Sequence, residues 1–152
     1  MKTLEQWFSE YGESHTNKTN IYIHKVCVPL ITWSLLGILW TIPVPELFLS
    51  YGINWSYIFV AICLLFYISL KSLRVLLGVL TMVLPVIYFL EKVSRIYGHR
   101  ILYVSLGIFV IAWIGQFIGH KIEGKKPSFF KDIQFLLVGP AWVIKDILRI
   151  KY

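Results

Sequence analysis

Three of the four histidines stand beside the ends of long apolar segments, where packing alone explains a histidine poorly. His15 and His24 precede the first apolar run, and His120 closes the last long one. Imidazole is the commonest metal-binding side chain, and an ionisable group at or in a bilayer is a functional-site hypothesis by default. Three neutral imidazoles can hold a divalent first-row metal and leave coordination positions open. Asn20 and His24 are four residues apart, as are Gln116 and His120, so each pair shares a face if its segment is helical. Asn20, Gln116 and Glu123 are the polar neighbours that can fix imidazole tautomers. Lys125 and Lys126 read as a solvated basic loop that can also attract an anionic head group. Two matters stay open at this point. The three histidines also fit a blander description as separate interfacial residues, and three imidazoles suit zinc, nickel or copper as well as iron.

Other chemistries fit less well. The chain has no Gly-x-Ser-x-Gly elbow and no glycine-rich phosphate loop or dinucleotide fingerprint. Cys27 and Cys63 both lie in apolar segments without a Cys-x-x-Cys pattern, as small buried hydrophobes do. The carboxylates are few, and only Glu13, Glu123 and Asp132 fall near the histidines.

The elements that must position these groups are helices in lipid. The 152 residues are 57% hydrophobic with a mean hydropathy of +0.69, above the roughly 45–50% apolar share of soluble domains. The expected fold is all-α: a single membrane-embedded helical bundle over 1–152, with about four transmembrane helices at 26–42, 57–70, 73–90 and 101–118. An amphipathic N-terminal helix is expected over 3–14, where Leu4, Trp7, Phe8 and Tyr11 recur at helical spacing, either along the membrane surface or on the bundle. The 133–150 segment, broken by Gly139-Pro140, is expected to be interfacial or re-entrant, with a fifth span as the other option. The short link at Lys71–Arg74 demands a hairpin or one long broken helix. The polar start argues against a cleavable signal, so the first apolar run would serve for insertion.

The net charge of +7 is read as lysines and arginines flanking spans rather than as a nucleic-acid footprint, since no recognition motif accompanies it. Four spans put both termini on one side together with most lysines, which favours cytoplasmic termini. His15, His24 and His120 then share that face. His99 falls on the opposite one, as a solvated loop residue.

Two segments carry a family resemblance. Tyr11-Gly-Glu-Ser-His15-Thr-Asn-Lys-Thr-Asn20-Ile-Tyr-Ile-His24-Lys-Val-Cys-Val-Pro29 resembles the start of the 2-hydroxy fatty acid dioxygenase family. Trp113-Ile-Gly-Gln116-Phe-Ile-Gly119-His120-Lys-Ile-Glu123-Gly-Lys-Lys-Pro127 is similar to its second signature, and Gly139-Pro140 matches its C-terminal part. The resemblance covers nearly the whole chain. It implies an iron(II)-dependent, membrane-embedded enzyme that shortens a 2-hydroxy fatty acid by one carbon using molecular oxygen. In eukaryotes the family acts in the endoplasmic reticulum in phytosphingosine breakdown; the Gly-Lys-Lys-Pro form looks more like bacterial members, which implies a bacterial inner membrane. By motif match, His15, His24 and His120 inherit the metal and catalytic role, and His99 inherits none. A 2-hydroxy acid offers a carboxylate and an adjacent hydroxyl as two oxygen ligands for iron, with the acyl tail between helices or toward lipid. The contrasting class is a non-enzymatic membrane scaffold or lipid-binding protein with incidental histidines. A metal or proton transporter would want polar residues along mid-span, which the third and fourth runs lack. Acyl chain length and oligomeric state are not legible in the residues.

Overall fold

Capping side chains set where the chain turns helical. The computed structural model describes residues 2–124 and 129–147, in seven helices. Thr3 accepts from the Gln6 N–H while the Gln6 side chain accepts from the Thr3 N–H, which starts α1 (Leu4–Gly12). Asn17 starts α2 (Lys18–Thr41) by accepting from the N–H groups of Thr19 at 2.9 Å and Asn20 at 3.4 Å. Pro43 and Pro45 follow the end of α2, where neither supplies an N–H to extend the helix. A short α3 (Glu46–Ser50) leads to α4 (Trp55–Ser69), capped by Asn54. α5 (Leu73–Tyr97) stops at Gly98 and α6 (Arg100–Glu123) at Gly124; both glycines have positive φ, at +51° and +73°. α7 (Phe129–Ile147) is the last helix among the described residues.

α2, α5 and α6 are long and apolar enough to cross a membrane. At about 1.5 Å per residue, each reaches roughly 36 Å, beyond the ~30 Å hydrocarbon core. The second expected span differs: α4 has 15 residues, which at the same rise cover only about 22 Å. Three long apolar helices and a shorter one therefore stand where about four transmembrane helices were expected.

α2 and α6 pack along most of their length, and small residues allow it. A Cβ on Gly115 would come within 2.6 Å of Cys27 Sγ; one on Gly119 would collide with Asn20 Oδ1, and one on Gly37 with Ser105 Oγ. Gly115 and Gly119 form the small-xxx-small spacing that brings membrane helices close. Matching low numbers on α2 with high numbers on α6 means the two run antiparallel. The start of α2 thus meets the end of α6, the condition for bringing His24 to His120.

α4 begins at the opposite end of the bundle, where Ser56 Oγ donates to the Leu36 carbonyl at 2.6 Å. The turn after it returns the chain into α5 as a hairpin, with Lys71 at φ +54°. The Tyr67 hydroxyl, on α4, donates to the Leu137 carbonyl of α7 at 2.6 Å. Pro140 lacks the N–H that would meet the Leu136 carbonyl, so the hydroxyl joins α7 one residue beyond the acceptor that has lost its helical donor. Tyr67→Phe should therefore destabilise the bundle by about 1–3 kcal/mol, read as a lowered thermal midpoint in detergent; an unchanged midpoint would remove this bond from the account.

The N-terminal helix lies on the bundle rather than along lipid: Leu4, Phe8 and Tyr11 are all buried. α7 differs from an interfacial helix. Residues 138–144 are buried in succession, on every side of the helix, whereas a helix at a surface keeps one wet face. Lys25 pairs with Asp146 at 2.6 Å, which ties the end of α7 to the His24 end of α2. Its other end follows the His120 end of α6 in the chain. α7 therefore lies across the histidine-bearing end, packed on α1, α2 and α5.

Candidate metal centre

The antiparallel α2–α6 pair places His24 beside His120, and the turn between α1 and α2 brings in His15. The ring centroids of His15 and His24 are 4.3 Å apart, those of His24 and His120 5.0 Å, and those of His15 and His120 5.8 Å. The rings meet edge to face, at interplanar angles of 84°, 83° and 67°. His24 is 1% exposed and His15 6%, while His120 is half-buried and forms the accessible side.

Backbone carbonyls fix two of the tautomers. His15 Nδ1 faces the Tyr11 carbonyl, and His24 Nδ1 faces the Asn20 carbonyl at 3.0 Å. A carbonyl only accepts, so each Nδ1 carries the proton and each Nε2 the lone pair, the form in which a histidine ligates a metal. Gln116, one turn before His120 on α6, is buried.

The donor set suits a divalent first-row ion in kind, while of the three separations only that of His24 and His120, at 5.0 Å, matches the spacing such an ion sets. Three imidazoles around one ion at metal–nitrogen distances of about 2.0–2.1 Å have centroids roughly 4.5–5.5 Å apart. The fit stops short of a finished site. Among the described residues, no group of three or more His, Cys, Asp and Glu side chains is arranged to hold a metal ion as it stands.

Around the rings is a polar shell on one side and an aromatic one on the other. Asn20, fully buried, donates through Nδ2 to the Ser14 carbonyl at 3.1 Å and to Glu123 at 2.9 Å. Glu123 also accepts from the backbone N–H groups of Thr16 at 2.9 Å and Asn17 at 3.0 Å, and from the Thr16 hydroxyl. Tyr11 stacks on His15 with centroids 4.1 Å apart and planes within 5° of parallel. Trp142 of α7 flanks both, 5.3 Å from Tyr11 and 5.4 Å from His15.

The expected residues His15, His24, His120, Asn20, Gln116 and Glu123 thus come together at one end of the bundle. Lys125 and Lys126 lie outside the described residues. His99 is exposed at the start of α6, 21 residues from His120, or about 31 Å along the helix; it stays away from the cluster, as its expected opposite face requires. Tyr11, Trp142 and Gly119 were not read as site residues. The four-residue offset of Tyr11 from His15 was a usable signal for the first. Nothing local marks Trp142, because only the placement of α7 brings it in. Gly119 works by lacking a side chain: a Cβ there would also sit 3.3 Å from His24 Cε1.

A helical bundle with long apolar helices and a three-histidine cluster at one end defines a class of membrane protein with a candidate imidazole metal site. The chain matches the model of the "2-hydroxy-palmitic acid dioxygenase Mpo1-like" family over residues 1–150, and it belongs to that family. It is 26% identical over 141 residues to the 2-hydroxy-palmitic acid dioxygenase MPO1 of Saccharomyces cerevisiae, a match covering 91% of this chain and 75% of that protein. No solved structure matches the chain significantly.

Proposed function

We propose that this chain is an iron(II)-dependent dioxygenase that removes one carbon from 2-hydroxy fatty acids with molecular oxygen. The observation that carries the reading is the convergence of His15, His24 and His120 within 5.8 Å of one another. Family membership and the name of the yeast relative supply the substrate class.

His15, His24 and His120 would hold the iron, which supplies the redox chemistry with oxygen and a template for the two substrate oxygens. The Tyr11 and Asn20 carbonyls keep two of the rings in the ligating tautomer. Tyr11 and Trp142 close the site on the side away from His120 and keep water out. His120 is the half-buried edge by which a substrate head group approaches. The exposed apolar side chains Phe117 and Ile118, on the turn before it, give the acyl tail a lipid-facing track. The catalytic end sits among Lys18, Lys25, Lys71 and Lys121, and that excess of lysine supports a cytoplasmic face and cytoplasmic termini in a bacterial inner membrane. On this topology α2, α4, α5 and α6 are the four crossings, with α4 helped by flanking residues.

The test is anaerobic purification in detergent, then metal analysis and oxygen consumption with 2-hydroxypalmitate. Near-stoichiometric iron with substrate-dependent oxygen uptake is the expected result. Bound zinc without uptake would keep the site and discard the reaction. Protein that stays inert and metal-free after iron(II) addition would leave a lipid-binding scaffold.

A further inference from the structure

The stretch between α1 and α2 that carries His15 has no helix of its own to hold it, yet His15 is buried. Four donors between Thr16 and Asn20 end on one carboxylate: the Thr16 N–H and hydroxyl on one Glu123 oxygen, and the Asn17 N–H and Asn20 amide on the other. Glu123 is three residues beyond His120, on the last turn of α6. It touches none of the three rings in any hydrogen bond described above. Its oxygens are directed at the connecting stretch rather than at the space between the rings.

We infer that Glu123 is the positioning residue for His15: its carboxylate folds the 13–17 stretch onto the end of α6, so that one helix terminus holds His15 and His120 in register. The consequence for metal binding rests on the function proposed above; the placement of His15 rests on the hydrogen bonds alone. An ionised carboxylate suits the task because it only accepts, at two oxygens. Glutamine has nearly the same shape but accepts at one atom and donates at the other. With its NH₂ group toward Asn17 and Asn20 both of those bonds would be lost, and with it toward Thr16 the Thr16 N–H would lose its acceptor while the hydroxyl could turn to accept, so the clamp is weakened whichever way the amide turns. Asn20 transmits the same constraint, since its amide joins Glu123 to the Ser14 carbonyl next to His15.

The experiment uses the full chain in lipid nanodiscs, stripped of metal with a chelator. Diethylpyrocarbonate modification of each histidine is followed by mass spectrometry, and cobalt(II) binding is titrated separately by visible absorption. In Glu123→Gln, His15 should be modified about ten-fold faster or more, the scale of losing hydrogen bonds to a charged group. His24, held by α2 itself, should keep its protection. Cobalt(II) affinity should fall about ten-fold or more. Thr16→Val removes only the hydroxyl donor and should shift His15 in the same direction by less. Wild-type protection of His15 in Glu123→Gln would overturn the inference. If that variant does not fold, Thr16→Val decides in its place, and unchanged protection there would overturn it equally. Failure of the wild-type protein to bind cobalt(II) would count against the metal reading alone, because the protection of His15 is measured without metal.

Discussion

Alanine at position 120 should abolish substrate-dependent oxygen uptake, with a loss of at least about 100-fold, while the fold survives. His120 is the half-buried member of the cluster, so its removal opens the site toward the surface instead of leaving a sealed cavity. The stability cost should stay within about 1 kcal/mol. Iron content and oxygen consumption with 2-hydroxypalmitate read the first effect, and thermal unfolding in detergent reads the second. A well-folded, active His120→Ala protein would sink the three-histidine reading. His24→Ala should lose activity equally but is a poorer test. His24 is almost fully enclosed at the α2–α6 contact, and truncating it leaves a void there with a cost of about 2 kcal/mol or more.

The second large effect is expected from a residue with no side chain. Gly119→Ala should lose metal binding and destabilise the bundle by about 1–3 kcal/mol. The new methyl would collide with Asn20 Oδ1 and press on the His24 ring. Asn20 cannot swing aside freely, because its amide is bonded to both Ser14 and Glu123. The helices must then separate or the polar shell must break, and either moves His24 away from His120. Gly107, on the same helix, has open space where a Cβ would stand, so Gly107→Ala is the control and should leave metal content and thermal midpoint near wild type. Equal behaviour of the two variants would show that the close approach at Gly119 is not what sets the site.

Much of the candidate site was legible because it depends on local rules. Apolar runs of membrane length mark the long helices, capping residues such as Thr3 and Asn17 mark their starts, and Gly124 marks a stop. A nine-residue offset puts His15 and His24 on either side of the α2 start, and the crossing pattern puts His120 at the same end. The four-residue pairing of Asn20 with His24 is likewise a property of one helix: the Asn20 carbonyl meets the ring through the periodicity alone.

What the sequence could not decide was how separate helices meet. Periodicity fixes which face a residue occupies on its own helix and says nothing of the partner facing it. Tertiary packing decided that α2 pairs antiparallel with α6 through Gly115 and Gly119. It decided that α7 is buried across the histidine end, though the same apolar residues would suit a surface helix. It also brought Trp142 against His15 and turned Glu123 toward Thr16, Asn17 and Asn20. These contacts join residues far apart in the chain, and the energy that selects them is shape complementarity and hydrogen-bond satisfaction between whole helices. The sequence by itself determined which groups could do the chemistry and at which end of the bundle. The tertiary structure decided which of them touch.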